Sequence, residues 1–268
     1  MSQKKITFIG AGNMATAIIR GISRSDKKKD YLLTAYDTIL EKAESLKEYG
    51  VIAAREVEPA VASADFLFLA VKPQNFEEVL TTIKPFVRKS TVVVSIAAGI
   101  TSGYLKSMLF DTCKVVIVMP NTPLLVGYGA TALACASPTT QQEFQAVCDI
   151  FELSGKTAVL SEDKMKEVIA INGSSPAFIY LFTKSFMEYA ESVGIEETTA
   201  LELFCQTLKG AAEMMLHSGH DLDSLIQMVS SKGGTTIAGL EQLRQGGLPK
   251  AVYHACESCT ARAYELSK

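Results

Sequence analysis

The sequence predicts an α/β protein, with a doubly wound parallel sheet in the N-terminal part of the chain and an all-helical C-terminal part. Three observations lead to this prediction. A glycine-rich turn follows the first apolar run, short apolar runs alternate with helical patterns to about residue 161, and no convincing strand pattern follows residue 162. Strands that alternate with helices are typical of parallel sheets with right-handed crossovers.

The turn after the first strand pattern is the most informative stretch of the chain. Gly10-Ala-Gly-Asn-Met-Ala15 stands between the strand pattern Lys5–Ile9 and a helical pattern. Gly10 allows a tight turn, Gly12 lets the backbone approach a pyrophosphate, and Ala15 lets the helix pack on the strand. The N–H groups at the start of that helix would face the anion. This context predicts a Rossmann-type dinucleotide site, and the alternative is a glycine-rich turn without a ligand.

The other strands and helices of the N-terminal part follow in regular alternation. Continuous apolar runs such as residues 66–71 are typical of parallel strands that are covered on both faces. We predict strands at 32–36, 66–71, 91–96, 114–119, 131–135 and 157–160, and helices at 41–49, at 76–83 and around Leu105. Ligands of such sheets bind beyond the carboxyl ends of the strands. Three of these ends carry Lys72-Pro73, Ala97-Ala-Gly99 and Pro120-Asn-Thr-Pro123.

The C-terminal part shows only helical patterns. We predict helices at about 163–192, 196–217, 221–229, 235–245 and 249–266. Gly173 and Pro176 should kink or split the first of them. The change of pattern predicts two domains, a dinucleotide-binding domain at 1–161 and a helical domain at 162–268. Several helices are apolar on more than one side, so we predict a homo-oligomer, at least a dimer, with the helical domain as its interface.

Composition and charge argue against several classes of function. The chain has 268 residues, of which 48% are apolar and 21% charged, with a formal net charge of −3. This charge and the lack of a basic stripe argue against nucleic-acid binding. No apolar run approaches the roughly 20 residues that cross a membrane. Because no signal-peptide pattern is visible, we expect a cytoplasmic protein without a membrane or nucleic-acid partner.

The cysteines and histidines do not predict a metal site. Six cysteines are scattered along the chain, and we expect them to be reduced. Cys256-Glu-Ser-Cys259 has a C-x-x-C spacing, but it lies in a helical pattern without a second cysteine pair. His217 and His220 flank Gly219, where a helix should end, and helix-end residues are the simpler interpretation. We therefore expect no metal.

Asp37 has two interpretations that the sequence leaves open. It stands at the end of the second predicted strand, 25 residues after Gly12. An acidic residue at this place usually accepts hydrogen bonds from the adenosine ribose and repels a 2′-phosphate, which favours NADH. Equally, Asp37 could cap the helix that follows, because aspartate is a favoured N-cap residue.

Five motifs carry a resemblance to a known family. They are Phe8-Ile-Gly-Ala-Gly-Asn-Met14, Phe68-Leu-Ala-Val-Lys-Pro-Gln74, Met119-Pro-Asn-Thr-Pro123, Gly173-Ser-Ser-Pro-Ala177 and Ser230-Ser-Lys-Gly-Gly-Thr-Thr236. In this order, over nearly the whole chain, the sequence resembles pyrroline-5-carboxylate reductase. The resemblance implies reduction of 1-pyrroline-5-carboxylate to L-proline with NADPH or NADH, the last step of proline biosynthesis. It also implies an N-terminal Rossmann domain and an intertwined C-terminal dimer, and such dimers often form decamers.

The resemblance further implies roles for individual residues. Thr236 would donate a hydrogen bond to the imine nitrogen during hydride transfer. The substrate-binding residues would be Glu162, Ser231, Gly233, Gly234 and Thr235. The cofactor-binding residues would be Ile9, Gly10, Ala11, Gly12, Asn13, Met14, Asp37, Ala70, Val71, Lys72, Pro73, Ala97 and Ala98. Without the resemblance, the loop at 233–235 reads as an ordinary glycine-rich turn with a threonine cap.

Four positions depart from the family pattern. Val57 replaces a common asparagine near the adenosine, and Asp37 stands where many relatives carry serine or threonine suited to a 2′-phosphate. Both changes favour NADH, whereas the family favours NADPH. Lys232 replaces a proline and Ser175 replaces a glycine in the substrate loops. Neither of these two changes removes a reacting group.

Two competing functions follow from the same sequence. A β-hydroxyacid dehydrogenase also joins a Rossmann half to a helical half, and Lys184 after Asn172 could imitate its catalytic lysine. The Gly-Gly-Thr-Thr loop argues against that function. The second alternative is a non-catalytic nicotinamide sensor, which would bind the cofactor without turning over any imine.

Overall fold

The structure is a computed structural model that describes residues 3–267. The described chain divides into two compact units. The first contains the residues up to Pro176 together with those from Ser258 onward, and the second is Ala177–Glu257. The predicted fold class is confirmed, because a largely parallel sheet with helices is followed by a helical region.

Eight strands form a single sheet in the first unit. They are β1 Lys4–Ile9, β2 Tyr31–Tyr36, β3 Ile52–Ala53, β4 Phe66–Leu69, β5 Val92–Ser95, β6 Lys114–Met119, β7 Gly129–Ala136 and β8 Gly155–Val159. Their order is β3-β2-β1-β4-β5-β6-β7-β8. The chain builds outward from β1 in one direction and then from β4 in the other. The switch point between β1 and β4 is where open α/β sheets bind their ligands.

Helices cover both faces of the sheet. They are α1 Asn13–Arg24, α2 Leu40–Ser45, α3 Val57–Ala62, α4 Phe76–Ile83, α5 Ser102–Met108 and α6 Gln141–Glu152. The two faces follow from the two-residue period of a strand. Phe66 and Phe68 of β4 join the cluster that includes residues of α1 and α6, whereas Leu67 and Leu69 join the cluster that includes residues of α4 and α5.

The centre of the core explains why these apolar runs form strands. Phe8 of β1 and Phe68 of β4 are fully buried, with ring centroids 4.8 Å apart, and Phe151 of α6 lies 6.1 Å from Phe68. Burial of each such side chain contributes roughly 1.5–3 kcal/mol. Because both faces of β1 and β4 are covered, the buried positions of these strands are apolar, with Thr7 as the exception.

The connection after β6 differs from the predicted parallel arrangement. β7 runs antiparallel to β6, with Met119 paired to Ala132, and β8 runs parallel to β7. Only the short segment 120–128 joins β6 to β7, whereas a parallel crossover needs a dozen or more residues. A 3₁₀ turn at Thr122–Val126 and the left-handed Gly127 (φ 82°) reverse the chain instead.

Three elements of the first unit were not among the predicted ones: β3, α3 and α6. The signal for α6 is present in the sequence, because Thr140 and Glu143 form a capping box. The predicted helix at 41–49 is α2 followed by a 3₁₀ turn at Leu46–Tyr49.

The C-terminal region is helical, as predicted. Its helices are α7 Ser175–Ser192, α8 Glu197–His217, α9 Leu222–Met228, α10 Thr235–Gln245 and α11 Leu248–Glu265. The predicted stretch at 163–192 is interrupted: a 3₁₀ turn at Glu162–Lys164 and a π-helix at Ile169–Gly173 precede α7. In the described part of the chain, no helix is long and apolar enough to cross a membrane.

The second unit leaves most of its apolar surface open. Of residues 177–257, all of which the structure describes, only Ala190 is buried. The aromatic rings of Phe182, Phe186 and Phe204 cluster, with Phe186 stacked on Phe204 at 4.2 Å. More than half of the surface remains exposed on twelve large apolar side chains: Tyr180, Leu181, Tyr189, Val193, Leu203, Met215, Leu216, Leu222, Met228, Val229, Val252 and Tyr253.

The compact units divide the chain at a different place from the predicted domain boundary. Packing assigns residues 162–176 and the end of α11 to the same unit as the sheet. Tyr264 of α11 donates a hydrogen bond of 2.8 Å to Glu167, and Lys166 lies 4.5 Å from the centroid of the Tyr264 ring. The domain boundary at 161/162 remains a prediction, and its outer limits, 1 and 268, lie outside the described residues.

Candidate active site

A cavity of about 500 Å³ lies at the carboxyl ends of β1, β2 and β4. It is at the switch point of the sheet, where a nucleotide is expected. Seven of the thirteen predicted cofactor residues line it: Ile9, Gly10, Gly12, Asp37, Ala70, Val71 and Lys72. These residues come from three separate stretches of sequence, and the fold brings them together at one edge.

Different structural reasons explain why glycine occupies positions 10 and 12 of the turn. Gly10 has a φ of 96°, and an added Cβ would lie 2.6 Å from the carbonyl oxygen of Ala70. Only glycine allows β1 to end so close to β4. Gly12 has a negative φ of −79°, and an added Cβ would meet no protein atom within 4 Å. No protein contact explains glycine at position 12, so the open space beside it fits a ligand.

Helix α1 begins directly after Gly12, with Asn13 and Met14 in its first turn. Gly12 is the N-cap residue and supplies no side-chain cap. The first N–H groups of a helix have no partner within that helix. An anion at this end would therefore meet free donors and the positive end of the helix dipole.

The side chain of Asp37 does not cap α2, which corrects one of its two interpretations, while its binding to an adenosine ribose remains a prediction. Its Oδ2 accepts a hydrogen bond from the backbone N–H of Ala11 at 2.8 Å, and its Oδ1 accepts one from Ile39 at 2.9 Å. The N-cap residue of α2 is Ile39 and not Asp37. Asp37 thus joins the glycine turn to the start of α2, while its side chain also lines the cavity.

Further residues around the cavity were not predicted from the sequence. The predicted residues Lys72 and Pro73 lead into a 3₁₀ turn that begins at Pro73. The unpredicted residues Asn75 and Glu78 lie in or just after this turn and also line the cavity. Lys42 of α2 adds a second positive charge. The complete set that sequence reasoning missed is Tyr36, Thr38, Ile39, Lys42, Asn75, Glu78 and Val79. Their position in the sequence could have indicated them, since each lies within ten residues of the end of β2 or β4.

Ala97 and Glu162 line a second, much smaller cavity, of about 20 Å³, next to the end of β5. The carboxylate of Glu162 accepts hydrogen bonds from the N–H and the hydroxyl of Ser102, at 2.7 and 2.6 Å. Glu162 therefore holds the start of α5 close to the Ala97-Ala98 turn. Ala98 lies in this turn but lines neither cavity.

Two asparagines join the Pro120–Pro123 motif to the π-helix before α7. Asn121 accepts a hydrogen bond from the N–H of Ala130 at 2.9 Å and donates one to the carbonyl of Asn172 at 3.1 Å. Asn172 donates to the carbonyls of Met119 and Ala130, at 2.7 and 2.9 Å. Both side chains are buried. They fix the point at which the chain reverses between β6 and β7.

The predicted substrate loop lies in the second unit. Gly233 has a φ of 73°, and the N–H of Gly234 donates to the carbonyl of Ser231 at 2.9 Å. Gly234 is the N-cap residue of α10, so Thr235 and Thr236 occupy its first turn. A Cβ on Gly234 would lie 2.6 Å from the Ser231 hydroxyl. The loop thus presents the backbone donors of a helix N-terminus next to two threonine hydroxyls.

Lys184, the residue of the competing dehydrogenase function, is an exposed lysine of α7. Its ammonium lies 3.8 Å from the carboxylate of Glu188 one turn later, and both side chains are mainly in solvent. Asn172 uses its amide group on backbone carbonyls, as described above. Neither residue has the surroundings of a catalytic group.

Comparisons with known proteins match both halves of the chain. A family model described as pyrroline-5-carboxylate reductase dimerisation matches residues 162–266, and one described as NADP oxidoreductase, coenzyme F420-dependent, matches residues 5–99. The pyrroline-5-carboxylate reductase of Escherichia coli is 34% identical over 267 residues, which is 99% of both chains.

Solved structures agree with these matches. A pyrroline-5-carboxylate reductase from Coxiella burnetii superposes with a TM-score of 0.89 and 32% identity, covering all of both chains. A Plasmodium falciparum pyrroline carboxylate reductase with NADP bound superposes with a TM-score of 0.90 and 29% identity, also over all of both chains. The predicted resemblance is confirmed: this chain belongs to the pyrroline-5-carboxylate reductase family and is an oxidoreductase with that family's dimerisation domain.

Proposed function

We propose that this chain reduces the C=N bond of 1-pyrroline-5-carboxylate to give L-proline, using NADPH or NADH. The observation that carries the proposal is the cavity at the switch point of the sheet, to which three separate stretches of sequence contribute. Family membership gives the reaction, and the cavity gives a site of suitable size and position for a dinucleotide. The nicotinamide would supply the hydride when it is bound.

The cofactor would be held mainly by backbone atoms. We assign the pyrophosphate to the N-terminus of α1, where Gly12 leaves open space and Asn13 and Met14 offer N–H groups. The other residues assigned to cofactor binding are Ile9, Gly10, Ala11, Asp37, Ala70, Val71, Lys72, Pro73, Ala97 and Ala98. Lys72 would contribute a positive charge next to the phosphates or the nicotinamide ribose.

The substrate would be held by the loop before α10. The N–H groups of Gly233 and Thr235 would bind the carboxylate, together with the Ser231 hydroxyl, while Gly234 shapes this substrate loop through its N–H bond to the Ser231 carbonyl. Thr236 would donate its hydroxyl proton in a hydrogen bond to the ring nitrogen, and this bond strengthens as charge develops there. As the hydride reaches the ring carbon, the ring nitrogen would take its proton from water, and a strong protein acid is not required because this nitrogen is itself basic. Glu162 would act by holding Ser102 and the adjacent Ala97-Ala98 turn.

The choice between NADH and NADPH follows from opposing charges near the adenosine. Asp37 and Val57 favour NADH, because a carboxylate repels a 2′-phosphate and valine offers it no hydrogen bond. Lys42 and the Thr38 hydroxyl lie in the same cavity and favour NADPH. We therefore propose that both cofactors are used, with at most about a tenfold difference in kcat/KM, or about 1.4 kcal/mol.

The experiment that tests the reaction follows NADH and NADPH oxidation in parallel with pyrroline-5-carboxylate, with proline measured as product. Thr236→Ala should lower kcat/KM roughly 10- to 100-fold, since it removes a hydrogen bond of about 1.5–3 kcal/mol to a charged group. Thr207→Ala is the matched control, because the Thr207 hydroxyl donates only to the Leu203 carbonyl. Its kinetics should not change.

Three results would contradict the proposal. Full activity of Thr236→Ala would remove the assigned role of this hydroxyl. Cofactor binding without oxidation by the wild type would favour the sensor function. Loss of activity in Lys184→Ala, with Thr236→Ala active, would favour the dehydrogenase mechanism.

The assembly and location of the protein are also proposals. The dimerisation match at residues 162–266 and the open apolar surface of the second unit support a homodimer. A decamer built from such dimers remains a prediction from the family. A cytoplasmic location likewise remains a prediction.

A further inference from the structure

A third cavity lies in the first unit, at the end of α1 that is remote from Gly12. Its volume is about 140 Å³, and its lining includes Arg20, Arg24 and Ser154. This is room for several water molecules and is enough for a tetrahedral anion. The residues that line it include two arginines and no acidic residue.

Both arginines lack an electrostatic partner. Within residues 3–267, neither Arg20 nor Arg24 makes an ion pair or a side-chain hydrogen bond, and the Nε of Arg20 is buried without any acceptor. A buried donor of a charged group that has no partner is costly. The two residues are also four apart on one helix, where like charges repel each other. An anion between them would relieve both costs.

The hydroxyl of Ser154, which also lines this cavity, lacks a hydrogen-bond partner among the described residues as well. Ser154 is itself buried. It packs against α1 at Gly21, where an added Cβ would lie 1.7 Å from the Ser154 Oγ. A hydroxyl in this position can donate to an anion held by the arginines.

This cavity is distinct from the cofactor site. Helix α1 has 12 residues, so its two ends are about 18 Å apart. The pyrophosphate is assigned to the N-terminal end, whereas Arg24 lies in the last turn. The dipole at that end is negative, so the arginines and not the helix must attract an anion.

We propose that Arg20, Arg24 and Ser154 form a binding site for a phosphate group, either free phosphate or a phosphomonoester. Guanidinium groups match the geometry of phosphate oxygens and bind them in pairs of hydrogen bonds. Val126 lines the cavity and is 69% exposed, so the cavity opens to solvent on this side. The site is independent of the proposed reduction, so a failure of either proposal leaves the other standing.

The test is calorimetric titration of phosphate into the full-length protein at constant ionic strength, with saturating NADH, which has no phosphomonoester of its own, to keep phosphate away from Gly12. We expect one saturable site per chain, with a Kd on the order of 1 mM or lower. Arg20→Gln and Arg24→Gln should each weaken binding at least tenfold. Arg244→Gln, which removes an exposed arginine from α10, is the matched control and should bind as the wild type does.

Parallel titrations with glycerol phosphate and acetate identify the ligand class. Tighter binding of glycerol phosphate would show that the site takes a phosphomonoester, and equal binding would show that it takes the phosphate group alone. Acetate should bind at least tenfold more weakly. The proposal is overturned if no saturable binding occurs, or if Arg20→Gln and Arg24→Gln, with circular dichroism and reductase activity unchanged, bind phosphate as tightly as the wild type.

Discussion

Gly10 and Gly12 look equivalent in the sequence, but glycine is needed at these two positions for different reasons. At Gly10 the constraint is the protein itself, through a left-handed backbone and the nearby Ala70 carbonyl. At Gly12 the backbone lies in a region that any residue can adopt, and no protein atom is near. Glycine at position 10 is therefore required for the stability of the fold, whereas glycine at position 12 is required for ligand binding.

We predict opposite effects of alanine at these two positions. Gly12→Ala should keep its melting temperature within about 2 °C of the wild type and lose at least tenfold in cofactor affinity, because its methyl group occupies ligand space. Gly10→Ala should destabilise the protein by roughly 2 kcal/mol or more, because it combines a clash with backbone strain. Thermal unfolding and fluorescence titration with NADPH measure the two quantities.

Each of the two glycine variants serves as the control for the other, because one should change stability and the other cofactor affinity. If Gly12→Ala bound NADPH as tightly as the wild type, the pyrophosphate would not lie beside Gly12. If Gly10→Ala were as stable as the wild type, the contact with Ala70 would have no energetic weight.

The sequence predicted which residues stand at the strand ends, but not what those residues touch. Seven predicted cofactor residues line one cavity because the order of strands determines which ends are neighbours. The bonds of Asp37 to Ala11, and of Glu162 to Ser102, join residues 26 and 60 positions apart. No periodicity encodes such pairs, because each depends on the final approach of two loops.

At the scale of elements, the strands were predictable and their direction was not. The apolar runs indicated seven of the eight strands of the described chain, and β6 matches the prediction in both of its bounds. The reversal at β7 depends on the length of the 120–128 connection and on two buried asparagines. Asn172 carries the larger share of this arrangement, since its amide group serves the carbonyls of two strands.

We predict that Asn172→Ala lowers the free energy of unfolding by about 2–4 kcal/mol. The substitution removes the two hydrogen bonds that the Asn172 amide donates to the carbonyls of Met119 and Ala130, at roughly 1–2 kcal/mol each. Urea unfolding measures the change. Ser175→Ala, which removes a hydroxyl bonded to the Ile171 carbonyl on the exposed side of the same turn, should change stability by less than about 0.5 kcal/mol.

Helix α8 should have a stability that depends on pH through its N-cap, Glu196. Hydrogen bonds from Thr198 and Thr199 lower the pKa of Glu196 from 4.5 to about 2. Because the folded pKa is the lower one, this stabilisation is complete above pH 4.5 and is lost as the pH falls towards 2. Glu196→Gln should therefore melt a few degrees below the wild type at pH 7, and the difference should shrink between pH 4.5 and 2.

Glu197→Gln is the control for this pH effect. Glu197 lies one position later, in the first turn of the same helix, and accepts no hydrogen bond from the described residues. Its melting temperature should follow that of the wild type over the same pH range. A constant difference between Glu196→Gln and the wild type from pH 7 to pH 2 would contradict the assignment to the carboxylate.

For the whole molecule, the change from alternating strands to helices predicted two parts, and the described chain has them. The assignment of residues 162–176 and the end of α11 to the sheet unit was not predictable. Helical periodicity shows which face of a helix is apolar, but not which surface it will cover. In the second unit the apolar faces exceed what one chain can bury, which points to a second chain.

The last prediction concerns this open surface. Leu203 of α8 is 65% exposed, and we expect it to be buried between two copies of the chain. Leu203→Arg should convert the dimer into monomers, because an unpaired guanidinium buried in an apolar interface costs several kcal/mol. Light scattering coupled to gel filtration measures the mass, with Ile52→Arg, at a 52% exposed position on β3, as the control. A monomeric wild type, or a Leu203→Arg variant of unchanged mass, would show that this face of α8 is not the interface.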